Sequence, residues 1–122
     1  MKKIINFIKN LQNHDGGFGC YSWADSSIGC TFFAIHILYL INETSAIDVN
    51  RVISFVLSWK TNNGKYRNKH GEDPSVLATA RALLIFKMLN YTPPDIEESL
   101  KFIIDNQQND GGWGSPEGER LS

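Results

Sequence analysis

The sequence predicts an all-α chain of stacked helical hairpins. Three observations predict it. A segment of about 48 residues recurs, each copy reads as a short amphipathic helix followed by an apolar one, and no segment shows the alternation of a half-buried strand.

The first unit occupies residues 4–41. Ile4, Ile5, Phe7, Ile8 and Leu11 recur near helical spacing, so a short amphipathic helix is expected there. The stretch Gln12 to Gly19, QNHDGGFG, ends it, because glycine enters the left-handed conformation without steric cost. A second helix is expected from near Ser26 through the run Ile28 to Ile41, which is apolar nearly all round apart from His36. That run is too short to span a bilayer and suits a buried helix, so no integral membrane segment is expected.

The second unit, 52–89, repeats this text at a shift of 48: FVLSWKTNNGKY falls on FIKNLQNHDGGF. Asp73, Ser75, Thr79 and Ala82 fall on Asp25, Ser27, Thr31 and Ala34. Its first helix carries Val52, Ile53, Phe55, Val56 and Trp59, and its second runs from near Ser75 through Val76 to Leu89. A half unit, 96–122, follows at a further shift of 47, where FIIDNQQNDGGW ends in a second glycine turn, QQNDGGWG. Pro93 and Pro94 precede it, and Asp95 with Glu98 makes a capping-box-like start. The near-uniform apolarity of the second helices, against the one-sided first helices, places one row inside and the other outside. Residues 1–122 read as a single partial domain of two and a half repeats.

These residues resemble a known family. F-[IV]-x-x-x-Q-x-x-D-G-G-[FW]-G followed by D-x-S-x-x-x-T-x-x-A-[IL] is similar to the repeat of squalene and oxidosqualene cyclases, where the Q-to-W stretch is called the QW motif, and of protein prenyltransferase β-subunits. The resemblance implies a partial α/α toroid, an inner ring of helices within an outer one, with isoprenoid chemistry in the central cavity. It also implies a structural role for Gln12, Asp15, Gly16, Gly17 and Phe18, and for Gln107, Asp110, Gly111, Gly112 and Trp113. Each glutamine amide has donors and an acceptor for loose backbone groups at the end of a neighbouring helix, and the aromatic six residues on covers it. In the middle copy Lys60 and Lys65 replace the glutamine and the second glycine, which predicts a weaker brace.

The family's chemistry is not written at the matching positions. Aligned on Thr31, the acidic positions of the cyclases' D-x-D-D-T proton donor hold Ser27, Gly29 and Cys30; aligned on Thr79 they hold Ser75, Leu77 and Ala78. The zinc-binding Asp-x-Cys of the prenyltransferases is matched only in Asp25 and Asp73, because Ser27 and Ser75 stand at its cysteine and a hydroxyl is a poor zinc ligand. Cys20, Cys30 and His36 fit no common zinc spacing. No metal and no cofactor are therefore expected, and no catalytic residue is assigned.

Five residues remain as candidates for a cavity or ligand site: Trp23, Asp25, Tyr66, Asp73 and Arg81. Asp25 and Asp73 precede the second helices and read either as helix-start stabilisers or as an acid or diphosphate-metal ligand. Arg81, in an apolar helix, pairs with Glu72 or Asp73, points to solvent, or faces the cavity or a partner. Trp23 and Tyr66 either line an apolar pocket and stabilise a carbocation or pack ordinarily. The loop KTNNGKYRNKH, with Lys60, Lys65, Arg67 and Lys69, is either an anion site or a solvated surface.

Composition bounds the setting. Apolar residues make up 42% and charged residues 20%, as in ordinary globular proteins, and the net charge of -1 argues against a nucleic-acid partner. Two cysteines make no disulfide framework and the N-terminus has no signal-like apolar core, so reduced thiols and a cytoplasmic location are expected. The N-x-S/T matches at Asn42 and Asn90 then carry no weight. A half ring exposes the sides of its inner helices, so the expected partner is another copy or a second polypeptide completing the ring. The expected function is a fragment or subunit of an isoprenoid-processing, terpene cyclase-like enzyme without its own acid motif. The alternative is a non-catalytic helical-repeat module for self-association or protein binding.

Overall fold

In the computed structural model of the chain, residues 1–106 are described together with the backbone of 113–114 and 120–121. Five α-helices carry the described part: α1 (Lys2–Asn10), α2 (Ile28–Leu40), α3 (Val49–Leu57), α4 (Val76–Met88) and α5 (Ile96–Asp105). Single 3-10 turns lie at Thr44–Ala46 and Asn62–Gly64. A two-residue antiparallel ladder, β1 (Trp113–Gly114) with β2 (Arg120–Leu121), pairs Trp113 with Leu121. The expected all-α partial toroid is what forms.

The second helices start one residue inside the serines that the repeat aligns. Ser27 accepts the Cys30 amide at 3.0 Å and Ser75 accepts the Ala78 amide at 3.0 Å, so each hydroxyl takes one of the unpaired donors of the first turn. Both helices end alike. Asn42 (φ 59°) and Asn90 (φ 58°) are left-handed. Beyond them Glu43 donates to Leu38 at 2.8 Å and Tyr91 to Phe86 at 2.9 Å, the Schellman closure that asparagine tolerates. The two N-x-S/T matches are explained by this helix ending.

α2 and α4 pack side by side, and α5 lies against α4 and the Asn62–Gly64 turn. The core between the two rows contains Ile8, Phe18, Ile35, Val52, Tyr66 and Phe86. Tyr66, Phe86 and Tyr91 meet edge to face at 6.1 and 5.1 Å, so the aromatic of the second turn is a core residue.

Two expectations are corrected. Asp95 is the N-cap residue of α5 but accepts no capping bond; its carboxylate pairs instead with Lys60 Nζ at 2.9 Å. Cys20 and Cys30 are not free thiols but are joined as a disulfide, with their α-carbons 5.0 Å apart. The loop out of the first turn folds back over the start of α2 and brings them within reach, a closure that spacing alone could not reveal. No helix among the described residues is long and apolar enough to cross a membrane.

Candidate functional site

The glycine turns come first, because they fix where each inner helix begins. Gln12 Nε2 donates to the Gly16 carbonyl at 3.1 Å, so the amide braces its own turn and not the end of a neighbouring helix. Asp15 accepts from the Gly17 amide at 2.9 Å and from Ser26 Oγ at 2.8 Å, and Asn13 Nδ2 donates to Ser26 Oγ at 2.8 Å. Turn and helix entry thereby share one network. Phe18, whose backbone pairs with that of Gln12, is wholly buried in the core, and its amide donates to Thr31 Oγ1 at 3.0 Å.

The contact between units is made by the glycines and by residues the sequence reading passed over. Gly16 (φ 90°) presses on the Arg51 backbone so closely that no Cβ fits, and a Cβ on Gly17 would come within 2.5 Å of the Phe55 ring. Arg51 Nη2 donates to the carbonyls of Asn13 and His14 at 3.2 and 3.1 Å. In the next unit Gly64 meets Ser99 in the same way, and Ser99 Oγ donates to the Gly64 carbonyl at 2.6 Å. Lys60 holds Asp95, and Lys65 Nζ lies 5.0 Å from the centre of the Phe102 ring. The middle brace thus substitutes an ion pair and a cation–π contact for the missing glutamine and glycine.

The inner helices present one uncovered face. Gly29, Phe33, His36 and Leu40 on α2, and Leu77, Arg81, Leu84 and Met88 on α4, recur at helical spacing and are partly or largely exposed. The opposite faces, with Ile28, Thr31, Ile35 and Leu38 and with Thr79, Ala82, Ile85 and Phe86, are buried. The result is an apolar strip with one permanent cation.

Arg81 is partly buried and pairs with neither Glu72 nor Asp73; among the described residues it forms no ion pair. Its guanidinium lies beside the first turn of α2, 3.2 Å from where a Gly29 Cβ would stand. Asn68 of the following loop closes that turn, its carbonyl accepting the Ile28 amide and its Oδ1 the Gly29 amide, both at 2.8 Å.

The other candidates are scattered. Asp25 and Asp73 are exposed, two residues before the serines that do the capping. Trp23 is 99% exposed at φ 71°. It borders an open groove of about 1070 Å³ lined also by Lys9, Asp15, Asp25, Arg51 and Lys69. Tyr66 lies in the core, not in a loop pocket; its hydroxyl finds no partner among the described residues, and burial, with Asp95 and Tyr91 nearby, raises its pKa above the ordinary 10.0. The basic loop is largely engaged: Lys60 on Asp95, Lys65 on Phe102, and Lys69 with Glu72 at 3.8 Å. Gln107, Asp110, Gly111 and Gly112 lie outside the described residues, and of Trp113 only the backbone is described.

The zinc of the prenyltransferases does not fit here. Ser27, at the position of its cysteine ligand, is buried and occupied as a helix cap, and Cys30 is tied up with Cys20. Among the described residues no three His, Cys, Asp or Glu side chains come together to hold a metal.

Thr31 and Thr79 were visible as aligned letters, and their role as acceptors follows once the turn is folded. Arg51, Ser99 and Asn68 carried no motif, since their partners lie 35 to 40 residues away.

Against known proteins, no curated sequence matches the chain. Among solved structures it is similar to the Candida albicans protein geranylgeranyltransferase-I complexed with GGPP, at 24% identity and a TM-score of 0.76. The match covers 88% of this chain and 34% of that one, so the chain spans about a third of its length, and the likeness is one of fold. The model of the prenyltransferase alpha-alpha toroid domain matches residues 1–120. With almost every residue inside that match, the chain belongs to the prenyltransferase alpha-alpha toroid domain family.

Proposed function

We propose that the chain forms part of the wall of an isoprenoid-binding cavity in a terpene cyclase-like or prenyltransferase-like assembly, and that it supplies binding surface instead of the catalytic acid or metal. The observation that carries this reading is the uncovered face of α2 and α4. Phe33, Leu40, Leu77, Leu84 and Met88 offer apolar side chains to a polyprenyl tail, and Arg81 offers its charge to a diphosphate head. The family supports the ligand class, and the matched structure is itself complexed with GGPP.

At the acidic positions of the cyclases' motif stand Ser27, Gly29 and Cys30 in the first unit and Ser75, Leu77 and Ala78 in the second, and both serines serve as caps. The test is incubation of the purified chain with a labelled polyprenyl diphosphate. Retention of the label with no turnover is expected; turnover by the chain alone, or no retention, refutes the reading.

A second reading, a repeat module that associates with its own kind, is favoured by a separate observation: Ile4 and Phe7 on α1 are 42% and 55% exposed. The two readings are compatible, because a cavity wall of this size leaves a ring to be completed.

A further inference from the structure

The exposed face of α1 carries side chains of the same chemistry as a face that the structure covers. Lys3, Ile4 and Phe7 stand 48 residues before Arg51, Val52 and Phe55. In α3 those residues receive the preceding glycine turn: Gly16 abuts the Arg51 backbone, the Phe55 ring lies against Gly17, and the guanidinium donates to Asn13 and His14. Val52 and Phe55 are then 0% and 3% exposed, whereas Ile4 and Phe7 stand open. Among the described residues a glycine turn lies on this face of α3 and none lies on that of α1. Lys3, exposed on the same face, carries the charge that Arg51 spends on turn carbonyls.

Three glycine turns are written in the chain, and two of them lie among the described residues. The turn at Gly16–Gly17 is seated on α3, and the turn at Gly64 is seated on Ser99 of α5. The third, Asp110-Gly111-Gly112-Trp113, repeats the sequence of the first. We propose that α1 is a docking edge for that glycine turn from a second copy of this chain, so that copies join head to tail through the same contact that joins their internal repeats.

The contact is heterologous, with different surfaces on the two sides, so it propagates unless the geometry closes it, and two copies each giving head and tail make the smallest closed ring. Glycine suits the donor side for the reason seen at Gly16, where a side chain would strike the backbone beneath it. The proposal rests on the reading that the ring is completed by another chain, and it names that chain and the surfaces used.

The test is sedimentation velocity on the full chain and on Phe7→Glu and Gly111→Val, with Leu84→Glu as the control on the inner face. Phe7→Glu places a charge on an exposed position and leaves the fold intact, which helical circular dichroism checks. Gly111→Val puts a branched side chain on the donor turn. The wild type should sediment as a dimer or larger closed species, and Phe7→Glu and Gly111→Val should each weaken association about tenfold or more, as loss of a central anchor does. A wild-type monomer overturns the proposal. So does an oligomer indifferent to Phe7→Glu, or one broken only by Leu84→Glu on the inner face. A wild-type chain that associates as expected but binds no isoprenoid refutes the cavity reading alone.

Discussion

The Phe18 amide donates to the Thr31 hydroxyl at 3.0 Å in the buried interior, and 48 residues on Tyr66 donates to Thr79 at 2.9 Å. Each bond ties a glycine turn to the second helix of its own unit. The aromatic can then fill the core while its amide is satisfied in a place without water.

Thr31→Val keeps the shape and removes the acceptor. It should destabilise the chain by about 1–3 kcal/mol, the cost of leaving a buried donor unpaired. Thr79→Val should do the same and also remove the hydroxyl's bond to the Ser75 carbonyl. Urea unfolding monitored by circular dichroism checks both; a change within error at both positions contradicts the role.

Gly16→Ala should cost more than Gly71→Ala. Both glycines have positive φ, 90° and 84°, and so carry similar backbone strain, of order 1 kcal/mol for alanine. Only Gly16 also has the Arg51 backbone against it, while nothing approaches Gly71 within 4 Å. Thermal melts of the pair separate strain from packing; equal melting shifts would remove the inter-unit contact from the explanation.

Tyr66→Phe should be neutral or slightly stabilising, because the hydroxyl is buried without a partner. Its raised pKa means that the folded chain keeps the phenolic proton after the unfolded chain begins to lose it. Stability should therefore hold below pH 10 and fall as pH rises from about 10 upward. In Tyr66→Phe that alkaline loss should shrink, as stability measured across an alkaline pH series would show.

Reducing the Cys20–Cys30 bond closes no new contact and frees a loop of ten residues' separation, so it should lower stability by about 2–4 kcal/mol. Melting with and without a thiol reductant, against Cys20→Ser with Cys30→Ser, measures it. The double variant should be insensitive to reductant.

Much of the fold was legible because it is repeated. The shift of 48 aligned Ser27 with Ser75 and Thr31 with Thr79, and both pairs make the same bonds. What was not legible was the choice of partner. A glutamine has several partners within reach, and the sequence does not say that Gln12 turns to Gly16. The disulfide was missed because only the folded loop brings Cys20 to the start of α2. Asp25 and Asp73 looked like helix stabilisers, yet the serines two residues on have the better geometry and take the amides. Arg81 stood out as a charge among apolar residues, and the fold sets it on the uncovered face beside Gly29.

We propose that the uncovered face of α2 and α4 binds an isoprenoid. Isothermal titration of the intact chain with geranylgeranyl diphosphate tests it most directly, using wild type, Leu84→Glu and Arg81→Gln. Wild type should bind, a charge at Leu84 should abolish binding, and Arg81→Gln should weaken it about tenfold, a loss that disappears when the alcohol replaces the diphosphate. Absence of binding by wild type, or binding indifferent to Leu84→Glu, would contradict it.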